Sequence, residues 1–146
     1  MKKLLALFIL LFSFNVANAQ STQQLCYTSD GSNCIQAVAS YKSLKIAVSS
    51  ATTAEIIAAG SGTTIYVSNW NVISSAAGTL KFVYGTGTNC GTGTTDLTGA
   101  YTFGTSTVIS VGNGVGVVLA VPPSNALCIT STSTVNAQGS LSYSQF

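Results

Sequence analysis

Four cysteines, three acids, five lysines and one run rich in glycine and threonine hold most of the chemistry available to this sequence of 146 residues. The run is GTGTNCGTGTT, Gly85 to Thr95, with four glycines and five threonines around one cysteine. A phosphate-cradling loop needs a lysine and then a serine or threonine after its glycines, and the dinucleotide fingerprint needs glycines at its first, third and sixth positions ahead of a helix. Counted from Gly85 the sixth position is Cys90, from Gly91 it is Asp96, and in GNGVG, from Gly112, it is Val117, so neither pattern is met. A serine nucleophile asks for a base, commonly histidine, and the chain has neither histidine nor arginine. Paired carboxylates for sugar hydrolysis would have to be chosen from Asp30, Glu55 and Asp96. Asp30 belongs to the turn signal Asp30-Gly31, Asp96 ends the polar run, and Glu55, beside Ile56 and Ile57, reads as a solvated side chain. The expectation is a protein that is not an enzyme and has no cofactor or metal.

Cys26, Cys34, Cys90 and Cys128 lack the close pairs of a zinc site and have no histidine to help them. In a secreted chain an even number of cysteines reads as disulfides. Asp30-Gly31 marks a tight turn between Cys26 and Cys34, so these two are expected to face each other across a small hairpin, which leaves Cys90 for Cys128. By chain entropy the short loop contributes about 2.6 kcal/mol and the long one about 3.9 kcal/mol. Aromatic residues are the remaining ligand platform, since tyrosine and tryptophan join an apolar face to a polar tip. Trp70, Tyr84 and Tyr101, with Thr92 and Thr94 of the glycine-threonine run, form the candidate binding surface. Core packing is the alternative, and for Trp70, the one tryptophan, it is the stronger expectation.

The secreted setting is itself read from the first residues, MKKLLALFILLFSFNVANA. Two lysines, an apolar run from Leu4 to Phe14, and small residues at Ala17 and Ala19 have the order of a cleavable signal peptide over residues 1–19. The apolar run is shorter than the ~20 residues of a spanning helix, so no integral membrane segment is expected after cleavage. Residues 20–146 then form one domain, in a secreted, extracellular or periplasmic protein. They carry Lys42, Lys45 and Lys81 against Asp30, Glu55 and Asp96, a formal net charge of zero. Three scattered lysines make no basic groove, so nucleic acid is not an expected partner. Disorder is not expected either, because 47% of the residues are hydrophobic and 5% are charged.

The dominant period is two. Leu44, Ile46 and Val48 alternate with Lys45 and Ala47, and Leu80, Phe82 and Tyr84 with Lys81 and Val83. Thr63 to Ile73, TTIYVSNWNVI, is rich in β-branched and aromatic residues and reads as a long central strand. Near the end, Val135, Ala137, Gly139, Leu141 and Tyr143 share one face, and Asn136, Gln138, Ser140, Ser142 and Ser144 share the other. AEIIAAG, Ala54 to Gly60, fits a short helix or a strand with a turn. Turn-forming stretches such as AAGSG, GTST, GNG and PPSN separate these runs. About eight short strands predict an all-β protein: a single antiparallel β-sandwich, jelly-roll-like and stapled by two disulfides. Gly85 to Thr95 then reads as an inter-strand loop tied down by Cys90, with no helix end to receive an anion.

The runs KFVYGTGTNCGTGTTDLTGAYTF, GNGVGVVL and NALCITSTSTVNAQGSLSYSQF resemble a small β-rich domain of tailed-phage virion proteins, of the head-decoration and tail-associated kind. The resemblance covers residues 63–146, and its most specific parts are GTGTNCGTGTT, ALCI and the terminal GSLSY-x-QF. It implies a structural or receptor-facing block. The chain departs from that kind in its secretory leader, which allows a bacterial secreted or surface protein built on the same module. Two further readings use the residues alone. An uncharged surface and a polar N-terminal segment, residues 20–42, suit a subunit that self-associates into a filament or coat. Exposed aromatics would suit a glycan-binding adhesin.

Overall fold

Strands that place an apolar residue at every second position can bury only one face, so a chain made of them stacks sheet on sheet. The fold is that of a computed structural model. It describes residues 42–49, 52–113, 116–132 and 136–146 in full and the backbone alone of 23–26 and 34–37. The signal peptide, the Asp30-Gly31 turn, the Cys26–Cys34 disulfide and Val135 lie outside the described residues. β1 (Gln23–Cys26) and β2 (Cys34–Ala37) pair with each other as a separate two-stranded sheet, with Cys26 opposite Cys34 in the register.

Ten further strands build two antiparallel sheets: β3 (Lys42–Val48), β4 (Thr53–Ile57), β5 (Ile65–Ser74), β6 (Gly78–Thr86), β7 (Thr92–Asp96), β8 (Tyr101–Phe103), β9 (Thr107–Val111), β10 (Leu119–Val121), β11 (Ala126–Ser131) and β12 (Ala137–Gln145). The first sheet runs β3-β12-β5, and β9 and β10 lie end to end along the far side of β5. The second runs β4-β11-β6, and β7 and β8 lie end to end along β6. The pairs nest: β3 with β12, β4 with β11, β5 with β9 and β10, β6 with β7 and β8. The chain is thus one long hairpin folded over on itself, and its innermost turn is the β6–β7 connection.

The core lies between the sheets. Ile46, Ile65, Val67, Trp70, Val72 and Leu141 of the first sheet meet Ile57, Leu80, Phe82, Phe103, Leu127 and Ile129 of the second. β3 keeps its sequence alternation, with Ile46 and Val48 buried and Lys45 and Ala47 exposed. β5 is the long central strand expected, but its inward phase changes from Ile65 and Val67 to Trp70 and Val72. Ser68 is the extra residue of a bulge opposite β12, and its hydroxyl donates to the Ser142 carbonyl at 3.3 Å. AEIIAAG resolves as strand β4, because Thr53 to Ile57 pair along β11 with Ile56 as the bulged residue.

β12 approaches β5 so closely at Gly139 that a β-carbon there would overlap the Asn71 carbonyl oxygen. The obstacle is backbone in the middle of a sheet and cannot rotate away. Gly139→Ala is therefore expected to cost about 1–3 kcal/mol as an overpacking change. Urea denaturation checks it, and a midpoint equal to that of the unsubstituted protein would contradict the close approach.

Candidate functional site

The innermost turn of the folded hairpin is where the glycine-threonine run falls. Thr86 ends β6, Thr88–Cys90 make a single turn of 3-10 helix, and Thr92 opens β7. Only the middle of the run, residues 87–91, lies between the strands. Thr92–Asp96 is a strand, because β-branched threonines suit an extended edge and pair back onto β6 through Thr92 with Thr86, Thr95 with Tyr84 and Asp96 with Val83. All five residues of β7 are exposed, Thr92 and Thr94 among them.

The turn is pinned at several points. Cys90 is bonded to Cys128 of β11, with 6.3 Å between the α-carbons. Both are fully buried and form, with Val83 and Ala126, a small second core on the outer face of the second sheet. Val83, which the alternation with Lys81 placed on the solvent side, is buried because the turn folds over it. Gly85 makes room for that fold: a β-carbon there would lie 2.9 Å from the Thr92 carbonyl oxygen and 3.0 Å from that of Cys90. The Thr94 hydroxyl donates to the Cys90 carbonyl. Asn89 stands at φ 52°, and its Oδ1 accepts the backbone N–H of Glu55 on β4 at 3.1 Å. Asparagine is among the few residues that tolerate this left-handed region.

Asn89 was not singled out by its chemistry in the sequence, although an asparagine between glycine-rich halves signals such a conformation. Asn89→Ala should cost about 1–2 kcal/mol, from one hydrogen bond and the left-handed strain of alanine. Thr92→Ser, on the exposed edge, should stay within about 0.5 kcal/mol. Thermal melts of the two variants check this, and equal shifts would mean that the turn is not anchored through Asn89.

For Trp70 the core-packing expectation holds, and the aromatic half of the candidate surface is corrected accordingly. Trp70 is 1% exposed, its ring 5.1 Å from that of Phe82 and 5.0 Å from that of Tyr101. It faces the inter-sheet space after the Ser68 bulge and offers no face to a ligand. Tyr101 is opposite Leu80 and Tyr84 opposite Leu127, so both point toward the inner layer and are half-buried at its rim. The structure therefore keeps Thr92 and Thr94 together on one exposed edge and turns Trp70, Tyr84 and Tyr101 toward the inner layer.

The acids and lysines are spread out. Asp96 pairs with Lys81 at 2.7 Å across β6 and β7, both partly in solvent, where such a pair contributes little. Glu55 is exposed, and its part in the turn is played by its backbone N–H. Lys42 sits 5.9 Å from the Tyr143 ring centre. Among the described residues no three histidine, cysteine, aspartate or glutamate side chains gather as a metal site would require, and no helix is long and apolar enough to cross a membrane. Compared with family models, curated proteins and solved structures, the chain has no match.

Proposed function

We propose that residues 20–146 are a non-enzymatic, secreted jelly-roll module that presents the β6–β7 hairpin at the surface of a particle or cell, in the manner of the virion decoration and tail-associated domains that the sequence resembles. The nested pairing of the sandwich strands, from β3 with β12 inward to β6 with β7, supports the jelly-roll reading, since rolling up one long hairpin yields its two Greek keys. A second disulfide, Cys26–Cys34, belongs to the proposal, and the opposed register of β1 and β2 supports it. Disulfide bonding at Cys90–Cys128 agrees with an oxidising compartment, as the leader implies.

The observation that carries the reading is the pinned tip. A turn held by a disulfide, by the Asn89–Glu55 bond and by the Gly85 contact carries an edge strand whose residues are all exposed. Rigid presentation of this kind lowers the ordering cost of binding. The chain has no histidine and no arginine, which supports presentation over catalysis.

The test is adherence of the purified mature protein to bacterial envelopes, to tailed-phage particles and to a carbohydrate array, beside a variant carrying Thr92→Asp. Binding should fall at least about tenfold in the variant while the melting temperature holds. Equal binding by both forms, or a hydrolase or nucleotide-binding activity that depends on the hairpin, would overturn the reading.

A further inference from the structure

Edge strands carry backbone groups ready to pair with another chain, and proteins that stay monomeric guard them with charge. Three of the longer edges of this sandwich are guarded in that way: β3 carries Lys42 and Lys45, β4 carries Glu55 and β7 carries Asp96. β9, Thr107-Val-Ile-Ser-Val111, has no charge, no proline and four β-branched residues out of five. Among the described residues it pairs with β5 on one side and with no strand on the other.

Apolar surface gathers at the same edge. Among the described residues the exposed large hydrophobic side chains are Ile73, Val108, Val117 and Phe146, and three of these four belong here. Val108, 61% exposed, is directly opposite Ile73, 47% exposed, on the outer face of the first sheet. Val117 leads into β10 beside the β9–β10 seam, where the next residue, Val118, donates its N–H to the Val67 carbonyl at 2.8 Å. Half-buried Thr107, Ile109 and Val111 line the inner side of the strand.

We infer that the β9 edge is a self-association surface on which a second copy of this chain pairs, β9 antiparallel to β9 about a two-fold axis through Ile109. The charge pattern selects the occupant: an edge without charge gives nothing to a charged partner, and the mature chain, formally neutral, is not repelled by its own copy. The strand is self-complementary in this register. Ile109 meets Ile109 of the second copy, and on the outer face Val108 meets Ser110 of the second copy, so the row Ile73–Val108 continues into Ser110 and Asn71 of the other chain. The two inner layers become continuous at the rim where Ile109 and Val111 are now half covered. A two-fold contact of this kind is closed and yields a dimer rather than a filament. One five-residue strand with a few flanking side chains makes a small interface, below about 1,200 Å², so self-association in the micromolar range is expected. The inference rests on the edge alone and stands whether or not the β6–β7 hairpin binds a partner.

Sedimentation equilibrium of the mature protein from about 1 to 200 µM is the test, a range that brackets micromolar association. Val108→Lys should weaken dimerisation at least about tenfold, since it sets a charge on the new sheet's central rows. Ala47→Lys, at an exposed position on the same face but at the opposite edge, should leave it unchanged. Adding Ser110→Asp to Val108→Lys should restore the dimer, because the register sets the introduced ammonium of each chain against the introduced carboxylate of the other. Melting temperatures report that each variant remains folded. A monomer throughout the range, or a dimer indifferent to Val108→Lys, would overturn the inference, and failure of Ser110→Asp to rescue would overturn the axis through Ile109.

Discussion

Leu141→Asp should lower stability by about 4 kcal/mol or more, while Ser142→Asp, one residue further along β12, should cost well under about 1 kcal/mol. Leu141 is 1% exposed and stands opposite Trp70 on one side and Leu44 on the other, so an aspartate there is placed in the inter-sheet core among apolar side chains. Ser142 turns to the outer face of the same strand, opposite Asn69 and Ser43, where a carboxylate reaches water. Domains of this size hold about 5–15 kcal/mol in total, so the first variant should populate unfolded chain at room temperature and the second should not. Urea unfolding followed by Trp70 fluorescence measures both. Equal losses at the two positions would mean that β12 does not have one buried face.

The contrast between neighbours was legible because side chains in a strand alternate with a fixed period, and Ala137, Leu141 and their polar neighbours keep it. The same period located β3, β5 and β6, and turn residues located their ends. What the period does not carry is a shift within a strand. The bulge at Ser68 moves the inward phase of β5 from odd to even positions, and nothing in TTIYVSNW distinguishes that from a regular strand. Because of it Trp70 points into the core against Phe82 and Tyr101, which agrees with core packing as the stronger expectation for this residue and removes it from the candidate surface. Val83 was misplaced for a related reason: alternation says which face a side chain is on, but not whether another part of the chain covers that face. Here the glycine-threonine turn does, through the disulfide. The pairing of Cys90 with Cys128 followed from elimination among four cysteines, whereas the anchoring of Asn89 to β4 needed tertiary structure, since the two segments are separated by two intervening strands.

Removal of that disulfide should have the second large effect. Replacing Cys90 and Cys128 together by alanine reopens a loop of 38 residues, and the chain-entropy estimate for that closure is about 3.9 kcal/mol. The loss should also be uneven. The inter-sheet core contains neither sulfur, so β5 and β12 should keep their protection against hydrogen exchange in proportion to the remaining global stability. The β6–β7 turn loses the bond over Val83 and Ala126 and is left with the Asn89–Glu55 bond, the Thr94–Cys90 bond and its own backbone pairing, so amides 86–96 should exchange by local opening. Hydrogen exchange read by mass spectrometry on the double variant separates the two effects. Uniform loss of protection across both sheets would show that the disulfide acts only on the unfolded chain. Selective exposure of residues 86–96 would show that it also holds the turn rigid, which is the property on which presentation of Thr92 and Thr94 depends.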